Sequence, residues 1–191
     1  MGHDGLAEDR KMRLQNREYT KFSVRPTVVI TTVSTRGIPN AAPFSFTSPC
    51  SFHPPLFGFG SNPTHDTWRN IKENGEFVAN YVDKSFGPLM HILEQDWPYE
   101  VSELEKAGLN HKKADKVQPP RIKEAYAWLE CKMETHVKIG DHIWIVGRVL
   151  VAEVEDEYIK AVTNAKKVNA LNHIWGEYFA DEMRVARYKR A

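Results

Sequence analysis

Three short stretches carry side chains with chemical potential. The first is Ala42–Pro43–Phe44–Ser45–Phe46–Thr47–Ser48–Pro49. Pro43 and Pro49 have no backbone N–H, so the available donors are the amides of residues 44–48. In an extended strand Ser45 and Thr47 face one side. A row of amides and hydroxyls beside Phe46 suits the polar edge of a flat heteroaromatic ring. The same residues also make an ordinary strand end closed by a Pro-bounded turn. The second stretch, Gly60–Ser61–Asn62–Pro63–Thr64–His65–Asp66–Thr67, runs into a helix start. Free N–H groups and the positive dipole end of a helix attract phosphate. Ser61, Asn62, Thr64 and Thr67 add hydrogen-bonding side chains. Asp66 argues the other way, because a first-turn carboxylate satisfies the helix itself and repels an anion, so capping without a ligand reads equally well. The third, Gly140–Asp141–His142, is hairpin-turn chemistry that sets a histidine at an edge. An imidazole titrates near neutrality and can give or take a proton there.

Other chemistries find no support. The eight histidines form no His-x-x-x-His or His-Glu-x-x-His pattern, and Cys50 and Cys131 form neither a Cys-x-x-Cys pair nor a zinc spacing, so no metal is expected. Cys50 follows the first stretch and reads as an inert structural thiol. No Gly-x-Gly-x-x-Gly follows a strand and no Walker loop exists, which argues against a Rossmann or P-loop nucleotide site. No triad or pair of catalytic carboxylates emerges. Trp128, Trp144, Trp175, Tyr178 and Phe179 read as core or subunit contacts.

The elements that must position these stretches are mostly strands. Pro and Gly punctuate the chain at short intervals. Residues 27–34 read as a strand, 36–37 as a turn and 38–47 as the returning strand; 56–60 and 76–82 are further strands. Between those last two lies a helix capped by Asn62, with Pro63 in its first position and Gly75 as its stop. Trp68 and Ile71 share a face of it. Residues 85–108 are helical in pattern, with Ser102 and Glu105 matching a capping box and Gly108 as the end. Residues 125–137 and 142–154 are two long strands joined at Gly140–Asp141. Residues 157–171 read as a final amphipathic helix before a basic tail. Six or seven strands in antiparallel hairpins, with about three helices outside, favour a closed or nearly closed barrel over a doubly wound sheet.

Composition sets the outer bounds. The chain has 191 residues, 41% hydrophobic and 27% charged, which fits one globular domain and excludes general disorder, collagen and coiled coil. Lys and Arg number 26 against 25 Asp and Glu, a formal net charge of +1. That argues against a nucleic-acid binder or a partner of anionic membranes, even with Arg184, Arg187, Lys189 and Arg190 in the tail. No apolar run is long enough to span a bilayer, and residues 1–15 hold no signal-peptide core. A reducing cytoplasm is the simplest setting for two unpaired cysteines.

The order of the segments then resembles a known family. Arg25–Pro26 opens a strand ending in Ile30–Thr31–Thr32–Val33. Pro39–Asn40–Ala41–Ala42–Pro43–Phe44–Ser45 and Ser51–Phe52–His53–Pro54–Pro55–Leu56 follow. Next come Asp66–Thr67–Trp68–Arg69–Asn70–Ile71, Gly75–Glu76–Phe77–Val78–Ala79–Asn80, Pro120–Arg121–Ile122, Leu129–Glu130–Cys131 and Gly140–Asp141–His142, with a weaker echo at Trp175–Gly176–Glu177–Tyr178. This order resembles the flavin reductase-like family of FMN-binding split barrels, flavoredoxin-type members especially. The resemblance implies one domain over 1–191, with a split antiparallel β-barrel core at about 20–156 and a C-terminal helix and tail at 157–191. It implies a homodimer holding FMN near its interface. Ser45, Phe46, Thr47 and Ser48 match the stretch that lines the isoalloxazine ring; Ser61, Asn62, Thr64 and Thr67 match the stretch that holds the ribityl phosphate. His142 matches a histidine near the approach of a nicotinamide or acceptor and is the candidate catalytic residue. His53 departs from the Asp more usual before Pro–Pro, and Pro63, His65 and Asp66 stand where basic or small residues are common. The implied activity is that of an oxidoreductase passing hydride from NADH or NADPH through flavin N5 to flavin, ferric iron or a redox-protein partner. The residues secure no pyridine-nucleotide pocket, so the alternative is an FMN-binding electron-transfer protein without its own nicotinamide site.

Overall fold

The computed structural model describes residues 11–188. A 3-10 turn, Asn16–Phe22, leads into β1 (Arg25–Pro26), β2 (Val28–Val33), β3 (Pro39–Phe44), β4 (Thr47–Phe52) and β5 (Pro55–Ser61). Helix α1 (Asp66–Asn74) and strand β6 (Glu76–Tyr81) follow, then a 3-10 turn, Lys84–Leu89, and the short helices α2 (Met90–Leu93) and α3 (Glu103–Lys106). The chain continues through β7 (His111–Lys112), β8 (Arg121–Ile122), β9 (Ala127–Ile139), β10 (His142–Val154), a 3-10 turn at Asp156–Tyr158, β11 (Asn172–Trp175) and β12 (Tyr178–Ala180).

Seven strands form one antiparallel sheet in the order β3-β2-β6-β9-β10-β5-β4. Its two edge strands, β3 and β4, are consecutive in the chain and separated only by Ser45 and Phe46. The chain therefore crosses from one edge of the sheet to the other at that point, and the Gly60 amide donates to the Phe46 carbonyl at 2.8 Å there. The result is a split barrel with its seam at Ser45–Phe46.

The pleat divides the apolar residues between two cores. Val28, Ile30, Phe57, Phe59, Phe77, Ala79, Cys131 and Ile145 point into the barrel with Trp68 and Ile71 of α1. Val29, Val78 and Trp128 point outward, where Phe86, Met90, Leu93, Leu104 and Leu171 cover them. One buried polar network is fully paired. Arg121 fans onto Glu130, Glu153 and Asp115, while the amides of Asp115 and Lys116 donate to the Glu130 carboxylate. No described helix is long and apolar enough to cross a membrane.

Four sequence expectations need correction. The strand expected over 38–47 breaks at Ser45, because β3 pairs with β2 while β4 pairs with β5 on the opposite edge. The helix expected from Asn62 starts at Asp66, with His65 in the cap position. Asn62 instead closes a tight turn, its Oδ1 accepting from the Thr64 amide and hydroxyl. Gly75 does end the helix, at φ 74°. Over 85–108 the helical pattern resolves into a 3-10 turn and two four-residue helices, interrupted by Pro88 and the extended stretch around Pro98. Ser102 holds the cap position of α3 without a side-chain bond, and Glu103 rather than Glu105 carries the local chemistry by accepting the Ala41 amide. The helix expected over 157–171 is absent beyond the Asp156–Tyr158 turn. Backbone pairing wins there: the Leu171 amide donates to Val82, its carbonyl accepts from Thr27, and Asn169 accepts from Lys84. Val168 and Leu171 are buried by this pairing while Ile159 and Val162 face solvent, which breaks the amphipathic stripe.

Candidate functional site

The seam opens into a cavity of about 520 Å³. Its first wall is the crossing segment Pro43–Phe44–Ser45–Phe46. Gly60 forms the floor, where a Cβ would lie 3.4 Å from Phe46 Cβ and 3.6 Å from His142 Cδ2. The rings of Phe46 and His142 lie beside it, 5.3 Å apart between centroids. Asn62 and His65 contribute from the turn before α1, and Asp141 and His142 from the β9–β10 turn. A third wall comes from β11 and its turn through His173, Trp175 and Gly176. Arg17, Tyr19, Thr20 and Arg25 close the last side.

Charge is distributed unevenly. Two arginines and three histidines line this cavity against a single carboxylate, Asp141. Asp141 is engaged by its neighbour, with His142 Nδ1 at 2.7 Å from Oδ1, and the donated hydrogen bond holds its carboxyl below the usual range. An ionised carboxylate can only accept, so Nδ1 carries the hydrogen in this pair. An adjoining hollow of about 200 Å³ shares Pro43 and His65 but is lined by Asp66, Glu94, Asp96 and Glu103. Burial pushes the carboxyls of Asp66, Glu94 and Glu103 up. His65 stands between the two regions. Burial lowers its pKa, Asp96 works in the opposite direction, and His142 adds to the lowering.

The candidate residues divide accordingly. Ser45, Phe46, Asn62 and His142 line the main cavity together. Thr64 and Thr67 line the acidic hollow. Thr47 and Ser48 continue along β4, with the Ser48 hydroxyl donating to the Pro49 carbonyl, and Ser61 is buried with its hydroxyl donating to the Asn62 carbonyl. Thr67 is also buried: its hydroxyl donates to Asn40 Oδ1 at 3.1 Å, beside the Thr32 hydroxyl at 3.0 Å. Among the described residues no cluster of three or more His, Cys, Asp or Glu is placed to hold a metal. Arg17, Tyr19, Thr20, His173 and Trp175 were not expected at the site. Only the Trp175–Gly176–Glu177–Tyr178 echo pointed to that region, and Gly176 there, at φ 51°, makes the turn that brings Trp175 back to the wall.

Comparison with known proteins agrees with this architecture. The family described as "Flavin reductase like domain" matches residues 21–173. An uncharacterised protein of Aquifex aeolicus is 35% identical over 162 residues, covering 81% of this chain and 83% of its own. The solved structure of nitrilotriacetate monooxygenase component B from Bacillus cereus superposes with a TM-score of 0.83 at 23% identity, covering 94% of this chain and all of that one. Flavoredoxin of Desulfovibrio vulgaris (Miyazaki F) does so with a TM-score of 0.83 at 16% identity, covering 94% and 97%. A split barrel with a polar, aromatic-edged cavity at its seam and a family match over most of its length lead to one assignment: the chain belongs to the flavin reductase-like family.

Proposed function

We propose that the seam cavity binds FMN and that the chain is an FMN-dependent oxidoreductase, taking electrons from NADH or NADPH and delivering them to flavin, ferric iron or a redox-protein partner. The observation that carries this reading is the convergence of Phe46, the turn into α1 and His142 on one cavity of about 520 Å³, within the range of cofactor sites. The residues fit the group. Phe46, 38% exposed beside the cavity, offers an aromatic surface to a flat ring system. The first amides of α1 lack intrahelical partners, and His65 provides no side-chain cap for them. The carboxylates on the Thr64 and Thr67 side oppose an anion. Asn62 and His65, on the cationic side, therefore suit the phosphate better than Thr64 or Thr67.

Bound FMN would supply the hydride chemistry that no side chain possesses. The chain supplies orientation: the crossing amides offer donors to the polar edge of a ring system, and the Ser45 oxygen remains free to accept. His142 sits at the mouth with Nε2 able to hand over or receive a proton. Among the similar structures, an FMN-binding protein from Thermus thermophilus favours FMN as the bound form. The exposed apolar residues Phe52, Val137 and Ile139 suit a contact with a second copy of the chain. The test is anaerobic mixing of FMN-loaded protein with NADH and with NADPH. Loss of the oxidised-flavin bands with either donor is expected. Bands that persist with both donors, yet vanish on adding a reduced redox protein, would identify an electron carrier instead.

A further inference from the structure

His173 joins three elements at the cavity wall, and its hydrogen bonds define its protonation. Nδ1 lies 3.2 Å from Arg25 Nη2 and 3.1 Å from Ser45 Oγ, while Nε2 lies 3.1 Å from the Gly176 carbonyl oxygen. A guanidinium can only donate, so Nδ1 must be the bare acceptor. A carbonyl can only accept, so Nε2 must carry the hydrogen. Both requirements name the same neutral tautomer. A second proton at Nδ1 would face the Arg25 guanidinium and remove the acceptor used by Ser45.

We propose that His173 is a proton-sensitive positioning residue: in its neutral form it ties the β11–β12 hairpin to Arg25 and fixes the Ser45 hydroxyl at the cavity, and protonation releases both.

The hairpin depends on few other ties. β11 pairs with β1 only at Arg25–His173 and Pro26–Asn172. Arg25 adds Nη2 to the Ile174 carbonyl and Nη1 to the carbonyls of Thr20 and Ser23, so one side chain binds the hairpin to the Asn16–Phe22 turn. Arg25 Nε is buried without a partner, leaving Nη2 to carry the contact with His173. The groups facing His173 are Arg25 from β1, Ser45 from the seam and the Phe179 ring of β12 at 5.1 Å. Arg17 and Lys21 of the 3-10 turn lie over the neighbouring Trp175. Asp141 is the one carboxylate among the lining residues, and His142 occupies it. Among the described residues that line the cavity, no anion is thus arranged to hold a charged His173. Burial and Arg25 both lower its pKa, while the bond to Gly176 works the other way. The neutral ring in the closed hairpin binds protons less readily than a free imidazole. Closure is therefore fully supported above about pH 6.5, the ordinary imidazole value, and is progressively lost as pH falls below it.

The inference does not depend on FMN, and its test reads the full chain without added flavin. Hydrogen exchange of peptides covering 172–180 is measured at pH 7.5 and 5.0, corrected for intrinsic exchange, in wild type, His173→Asn and His173→Phe. Asn places an acceptor near the position of Nδ1 and does not titrate. Wild type is expected to lose about tenfold protection at pH 5.0, with about thirtyfold the limit set by an ordinary imidazole value of about 6.5. His173→Asn should keep its protection at both values, and His173→Phe should be open at both. Imidazole nitrogen shifts of wild type supply a reading independent of either variant: a bare Nδ1 and protonated Nε2 at pH 7.5, titrating below a free imidazole. Equal protection of the wild-type hairpin at the two pH values would overturn the proposal. So would a His173→Asn variant with the wild-type pH response, or the opposite tautomer.

Discussion

Asn40 is buried with two hydroxyls on its Oδ1, from Thr32 and Thr67, and Thr32 in turn accepts from Asn70, whose Oδ1 receives the Tyr99 hydroxyl. Thr67 therefore contributes to the packing that holds α1 in place. Thr67→Val keeps the volume and removes one donor; the expected cost is about 1 kcal/mol, or about 2–4 °C in Tm, read by thermal unfolding. FMN affinity should stay within about twofold, because the hydroxyl already has its partner. A much larger loss would return Thr67 to the phosphate contacts. His142 differs, since its side chain lines the main cavity and is 35% exposed. His142→Ala is expected to retain flavin and slow its reduction about 100-fold, in the range of a lost proton-transfer group. Stopped-flow absorbance checks this, and unchanged rates would leave His142 as a turn residue. Sequence chemistry found these two positions by residue type. It could not tell them apart, because burial of Thr67 depends on Asn40, 27 residues away.

Elements show the same division between local and long-range causes. Gly75 at φ 74° and Gly140 at φ 60° end an element where only glycine is unstrained, so α1 and the β9–β10 turn were legible. Residues 157–171 were not, because the backbone bonds to Val82, Lys84 and Thr27 that displace a helix there come from distant segments. The seam was half legible: prolines marked the Ser45 region as special, but nothing local reveals that β3 and β4 lie on opposite edges of one sheet. Helix α3 carries a testable consequence. Glu103 accepts the Ala41 amide of β3 from a buried position, and burial raises its carboxyl above the ordinary value of 4.5. The folded chain then binds this proton more readily than the unfolded chain. Stability from this group rises as pH falls from neutrality towards 4.5. Wild type should gain on Glu103→Gln across pH 7 to 5 in parallel denaturant titrations; curves that stay parallel would remove Glu103 from the acid response.

At the scale of the molecule, a near-neutral net charge conceals two opposed local fields. Arginines and histidines surround the main cavity, and carboxylates surround the hollow next to it. Composition alone could not show this separation, because folding brings Arg17, Arg25 and His173 together from opposite ends of the chain. In the C-terminal tail Arg184 and Arg187 are exposed, while Lys189 and Arg190 lie outside the described residues. The proposed contact through the exposed Phe52, Val137 and Ile139 predicts a dimer in sedimentation velocity, which Phe52→Glu with Ile139→Glu should shift to monomer. A monomeric wild type would remove the second copy from the account.

The most direct measurement is a crystal structure of the full chain grown with excess FMN. The account predicts the ring system against Phe46 above Gly60 and the phosphate beside Asn62, His65 and the first amides of α1. Clear density for the main cavity with no flavin in it, or flavin bound elsewhere on the chain, would contradict it.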